Sequence, residues 1–205
     1  MKNIFKIIFF ISLLSTALTS CVGDEDTEIP YLDPIPPTDP NIFFQETFET
    51  NFSKWVAFSK TGSQVWTLDP KNGNPDECAK ISGFVSGASN ANVDWLISPA
   101  QDLSGLSVAK LSFDNSYKFT GNPIEVYVSN NYKGTGDPEA TGVTWKKIND
   151  VLLSDGNFVY KNSGDIDISD FTGAGNNKVY IAFKYTSTSS ASSTWEIDNV
   201  KITKK

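Results

Sequence analysis

The sequence predicts an all-β protein, a sandwich of two antiparallel sheets, over residues 42–205. Three observations predict it. Aromatic and β-branched residues alternate with polar ones at period two. Turn-forming clusters such as "KNGNPD", "SGASNAN", "TGNP", "YKGTGDP" and "GAGNN" recur roughly every ten residues. No long stretch carries a helical period. Many short strands at this spacing suit a single two-sheet domain of about 165 residues.

The chain opens on Lys2 and Lys6, followed by an apolar run from Ile7 to Leu14 that continues in small residues to Thr19. A charged start and an apolar core too short to span a bilayer read as an export signal over residues 1–20. "LTSC", Leu18 to Cys21, resembles the lipobox of bacterial lipoproteins. That resemblance implies lipidation at Cys21 and membrane contact through the lipid anchor only. The acidic residues just after Cys21 resemble the surface-export signal of Bacteroidetes lipoproteins, which implies an outer-membrane location facing the cell exterior, the alternative being a plain solvated linker. Residues 21–41 read as an acidic linker. Asp24, Glu25, Asp26 and Glu28 cluster there, and five of the ten prolines fall between Pro30 and Pro40. Proline fixes φ and disfavours helix before it, which favours an extended stalk.

Loss of Lys2 and Lys6 with the signal takes the formal charge from −7 to −9. The chain has neither Arg nor His, so its cations are all Lys. Such a chain is a poor partner for nucleic acid, whose backbone rewards clustered basic residues. With Cys21 lipidated, Cys78 has no partner for a disulfide, and its apolar surroundings in "ECAKISG" read as a small buried residue.

Within the domain the strands declare their faces. In "PIEVYVS", Ile124, Val126 and Val128 share one face, with Glu125, Tyr127 and Ser129 on the other. In "KVYIAFKYTS", Val179, Ile181, Phe183 and Tyr185 share a face. "VDWLISP" and "AKLSFDNSY" continue the pattern. The order "ETFE", "VDWLISPAQDLSG", "LSFDNSY", "IEVYVSNNY", "WKKI", "GDIDISDFTG", "KVYIAFKY" and "WEIDNVKI" resembles the cleaved-adhesin and choice-of-anchor J domains of Bacteroidetes, which are similar in fold to MAM domains. The resemblance spans Phe43 to Thr203. It implies a jelly-roll β-sandwich serving as an extracellular, non-catalytic adhesion or glycan-associated module, often with bound calcium.

The last strand, "TWEIDNVKI", is the odd one. At period two, Glu196 and Asp198 share a side with Val200 and Ile202, while Trp195 and Ile197 take the other. One dry core cannot hold both sets, because an unpaired buried carboxylate costs too much. Either the pair lies at the rim, or a bulge near Asp198-Asn199 switches faces, or a cation neutralises the acids. Calcium suits carboxylate and amide oxygens. Close first and last strands, as the resemblance implies, would bring Glu49 toward Asp198. The expected metal ligands are Glu49, Asp94 and Asp198, followed by Asp114 and Glu196. The alternative is that these acids accept backbone N–H groups. "DIDISD" fails as an EF-hand loop, since Asp170 stands where Gly is required and Asn176 where the bidentate Glu belongs.

Without His there is no Ser-His-Asp or Cys-His device, and no catalytic residue is assigned. A two-carboxylate glycosidase is the minor alternative. A structural or protein-binding subunit of an outer-membrane glycan-uptake complex is another. Glycan or a surface protein is the expected partner. Aromatic platforms flanked by amides suit a sugar, and Tyr132, Asn130, Asn131, Tyr117 and Phe119 are the candidate ligand-binding residues. The "SNNYKG" loop around Tyr132 is expected to be the most exposed.

Overall fold

The computed structural model describes residues 39–49 and 52–205. The export signal, Cys21 and most of the linker lie outside the described residues. Among the described residues fourteen strands follow one another: β1 (Ile42–Glu46), β2 (Val56–Thr61), β3 (Thr67–Asp69), β4 (Cys78–Ser82), β5 (Phe84–Val85), β6 (Ala88–Ser89) and β7 (Asn92–Ile97), then β8 (Lys110–Lys118), β9 (Glu125–Ser129), β10 (Lys146–Ile148), β11 (Lys161–Asn162), β12 (Ile166–Asp167), β13 (Tyr180–Ser187) and β14 (Thr194–Thr203). The helical content among the described residues is one 3-10 turn, Ser169–Phe171.

Two antiparallel sheets form a jelly-roll β-sandwich. The first runs β11-β8-β14-β4-β3, with β1 also paired to β14 and β12 to β8. The second runs β10-β9-β13-β7-β2. The two short strands β5 and β6 make a separate hairpin. Its turn, Ser86-Gly87, has positive φ at both residues (54° and 83°), the backbone that two-residue hairpins favour.

The period-two faces predict the core. Ile124, Val126 and Val128 meet Val179, Ile181, Phe183 and Tyr185 in one buried cluster. From the opposite sheet come Ile81, Leu111, Phe113, Trp195, Ile197, Val200 and Ile202. Full burial of such a side chain contributes about 1.5–3 kcal/mol, so this double row is the main source of stability. Cys78 is buried as expected.

Trp195, Ile197, Val200 and Ile202 all sit in that core, which a strict period of two forbids. A bulge resolves the conflict. The β14–β8 register shifts between Asp198 and Lys201, and Asn199 adopts a left-handed φ of 49°. One extra residue turns Val200 inward and leaves Glu196 and Asp198 on the outer face. Asn tolerates that backbone better than most residues.

A second apolar layer covers the outer face of the five-stranded sheet. Trp95, Ile97, Tyr180 and Ala182 project there, and the segment 130–145 folds back over them with Tyr132, Val143 and Trp145. Tyr132 packs edge-on to Tyr180 at 5.2 Å and against Trp145 at 5.4 Å. The segment is tied down by ion pairs from Lys60 to Asp137 and from Lys184 to Glu139.

Candidate functional site

The acids expected to hold a metal do not form one group. Asp114 and Asp198 are cross-strand partners on the outer face of the seven-stranded sheet. The pairing of β1 with β14 brings Glu49 near them, close enough to act on the Asp198 carboxyl. Asp198 is buried and accepts the backbone N–H of Asn74 at 2.7 Å and of Asn199 at 2.6 Å. Asp114 accepts side-chain amides from Asn199 at 3.0 Å, Asn74 at 3.3 Å and Asn162 at 2.8 Å. Burial pushes the Asp198 carboxyl up to about 6; the two N–H groups oppose this, and Glu49 and Asp114 add to it by like-charge repulsion.

Glu196 belongs to a different arrangement. It accepts the Ser116 hydroxyl at 2.6 Å and faces Lys80 Nζ at 3.4 Å. Lys80 in turn binds Asp69 at 2.6 Å. The protein answers the charge of Glu196 with its own lysine, which removes it from the expected metal set.

Asp94 also stands apart. It lies on β7, two residues before Leu96 of the main core and so on the same face, and pairs with Ser59 and Tyr185. The seven-stranded sheet therefore separates it from Asp198. Neither Asp94 oxygen has a hydrogen-bond partner, and burial pushes its carboxyl up to about 6. The nearby Ser59 hydroxyl offsets this only in part, being turned to the carbonyls of Thr61 and Gly62. Gln64 Oε1 and Trp66 Nε1 are likewise buried without partners. Among the described residues, no group of three or more His, Cys, Asp or Glu is placed to hold a metal ion together.

The candidate ligand-binding residues divide as sharply. Tyr132 is 2% exposed, and its hydroxyl donates to the Gly136 carbonyl. The expectation of an exposed platform there is wrong, because the loop folds onto Trp145 and Tyr180 and hides the ring. Asn131 holds the turn together, accepting from Thr144 N–H and donating to the Gly142 carbonyl. Asn130 donates to Asn176. Tyr117 is half-buried, stacked on Trp195 at 4.6 Å.

Phe119 is the exception, at 58% exposed. It directly follows β8, and its backbone is left-handed with φ of 72°. Gly121 fixes this turn: a Cβ there would stand 2.3 Å from the Ser193 backbone N. Phe158 meets Phe119 edge-on at 6.1 Å, is 37% exposed, and is also left-handed with φ of 57°. Its N–H donates to the Tyr117 carbonyl. Phe84, from the β5–β6 hairpin, is 53% exposed and faces Phe119 across a cleft of about 220 Å³. Ser89, Thr120, Ser190 and Ser192 also line that cleft, the Ser192 hydroxyl donating to that of Ser89 at 2.8 Å. On the far side of Phe119 an open trough of about 420 Å³ runs past Lys118, Asp155 and Asn157. Phe84, Phe158 and Lys118 were not among the expected site residues. The sequence signal for the two phenylalanines was a large apolar residue beside a Gly turn, in "FVSG" and "GNFVY"; Lys118 carried none.

A family model with the description "Domain of unknown function (DUF5017)" matches residues 73–205, which carry β4 to β14 and with them Phe84, Lys118, Phe119 and Phe158. The chain belongs to the DUF5017 family. No curated protein matches this DUF5017 chain in sequence. Among solved structures it is similar to the K1 cleaved adhesin domain of Lys-gingipain from Porphyromonas gingivalis W83. The TM-score is 0.55 and the identity 20%, over 79% of this chain and 98% of that one. The K2 cleaved adhesin domain of Lys-gingipain gives 0.52 and 20%, over 78% and 97%. The K3 domain from the same strain gives 0.50 and 14%, over 79% and 99%. At these identities the likeness establishes a shared sandwich fold.

Proposed function

We propose that this chain is a lipid-anchored, non-catalytic adhesion module that binds glycan on the ledge formed by Phe84, Phe119 and Phe158. The observation that carries the reading is the backbone at Phe119 and Phe158. A left-handed φ costs a bulky residue about 1–2 kcal/mol, and both residues bear it with their rings turned toward solvent. Phe48 bears the same backbone with its ring in the core, so what singles out Phe119 and Phe158 is strain combined with exposure. Flat apolar rings beside small polar residues suit the C–H face and hydroxyls of a sugar. The adhesin domains among the solved neighbours support a binding role, and the absence of His from the sequence supports a non-catalytic one.

Calcium is proposed at the acidic corner. Asp114 and Asp198 are cross-strand neighbours and Glu49 acts on Asp198 from nearby, but the three are not gathered as a metal-binding group, so a hard cation would have to draw Glu49 in toward the two aspartates. Its role would be counter-charge to a buried carboxylate that already has acidic neighbours. The proposed anchor is Cys21, supported by the Lys, apolar and "LTSC" order.

The purified full chain applied to a glycan array tests the binding reading. Retention on at least one glycan is expected, and Phe119→Ala should abolish it without lowering the melting temperature. Hydrolysis of any glycan, or retention indifferent to Phe119→Ala, would contradict the reading. For the anchor, palmitate labelling should disappear in Cys21→Ala; persistent labelling would refute it.

A further inference from the structure

We propose that the ledge recognises acidic glycans, with Lys118 meeting a sugar carboxylate while Phe119 and Phe158 pack against the ring. This rests on the glycan reading above and names the class of sugar.

The argument comes from a contrast among three lysines. Lys146 lies over Phe171 at 5.9 Å and is paired with Asp170. Lys184 lies over Trp95 at 5.0 Å and is paired with Glu139. Lys118 lies over two rings at once, Phe119 at 5.6 Å and Phe158 at 5.7 Å. Yet it has no carboxylate partner among the described residues. In the first two cases an aromatic face and a carboxylate share one ammonium. At Lys118 the aromatic half of that arrangement is doubled and the anionic half is missing.

The rings attract the charge but accept no conventional hydrogen bond, so the three N–H donors of Lys118 stay free. Two aromatic neighbours also restrict the side chain, which lowers the ordering cost of binding. The surroundings fit a sugar acid better than a bare anion. Thr120 and Asn157 supply neutral polar groups along the same trough. Exposed Phe84 extends the apolar face beyond Phe119. Asp155, beside the trough, is itself paired with Lys161, so its charge is partly answered. On a chain of formal charge −7, an unpaired lysine framed by solvent-facing rings is the place where an anionic ligand is favoured.

The test uses the full chain in affinity electrophoresis against polygalacturonate, alginate and hyaluronan, each beside its carboxyl methyl ester. Esterification removes the charge and keeps the sugar. The expected result is retention by at least one acid form, with its ester retained roughly tenfold less, the scale of one charge-assisted hydrogen bond. Lys118→Gln should erase the acid-over-ester preference at unchanged melting temperature, and Lys118→Arg should restore it. Equal retention of acid and ester, still lost in Phe119→Ala, would overturn the acidic assignment and leave the glycan reading standing. Retention of no glycan, acidic or neutral, would overturn both. Vesicles of phosphatidylglycerol serve as the remaining arm: Lys118-dependent binding to them without glycan retention would assign the ledge to lipid and refute this inference.

Discussion

Asp114 and Lys118 stand four residues apart on β8, and the regions they open onto are built on opposite terms. Around Asp114 and Asp198 the protein answers nearly every polar need from its own backbone and amides. Around Lys118 it leaves needs open: a cation without a counter-ion, two phenylalanines in solvent, and a strained backbone under each. The corner therefore reads as architecture, closing the sandwich where first and last strands meet. The ledge reads as a surface kept for something else. Asp94 adds a third case, a buried acid whose needs are unanswered in the interior, where no macromolecular ligand reaches.

The largest expected effect breaks the corner. Asp198→Ala would strip the acceptor from two backbone N–H groups, each worth about 1–3 kcal/mol when left buried and unpaired. Asn199→Val would force a β-branched residue into the left-handed bulge. Either should lower stability by several kcal/mol, about 2–5, in a denaturant titration. A loss below 1 kcal/mol would mean that the corner is not structural.

Next comes pH. Burial pushes the Asp94 carboxyl up to about 6, above its ordinary value of 3.8. Because the folded state holds the proton over this interval, stability should fall as pH rises from about 4 to about 6. The full penalty is at most about 3 kcal/mol. Asp94→Asn should remove most of this slope, stabilising at pH 8 and changing little at pH 4. Asp198 titrates in the same range and the same sense. Its substitution by Asn should gain less, since the carboxylate also serves the N–H groups of Asn74 and Asn199. Equal gains at both sites would erase the distinction between answered and unanswered acids.

Calcium sharpens the same contrast at a smaller scale. At a hundredfold excess over its dissociation constant, a bound ion adds about 2.7 kcal/mol, roughly 5–10 °C for a domain of this size. EDTA should lower the melting temperature and calcium restore it. Asp198→Asn should abolish the response, and Asp94→Asn should leave it intact. A response lost in Asp94→Asn alone would move the ion to the interior.

The fold was legible because period two is a local property: each strand shows its own faces, as Val126 and Phe183 illustrate. The conflict in β14 was legible too, and a bulge at Asp198-Asn199 was one of its three solutions. Glu49 meeting Asp198 followed from the resemblance, through the pairing of first and last strands. What failed depended on distant partners. Asp94 and Asp198 look alike in sequence, and only sheet membership puts one inside and the other on an outer face. Tyr132 looked exposed because its loop is polar, yet polarity does not reveal that segment 130–145 folds back onto Trp95 and Tyr180. Phe119 was picked out as a ligand residue, while Phe84 and Phe158 reach it from 35 and 39 positions away, beyond any periodicity.

The smallest stability effect carries the central claim, that the ledge is held in strain for binding. Asn accepts left-handed backbone and lacks the large exposed ring. Phe119→Asn should therefore raise stability by about 1 kcal/mol, or roughly 2–4 °C in melting temperature. In the same preparation, retention on the glycan that holds the parent chain should be lost. A variant that melts higher and no longer binds is the predicted result. A variant that melts lower, or that binds as the parent does, would contradict the account.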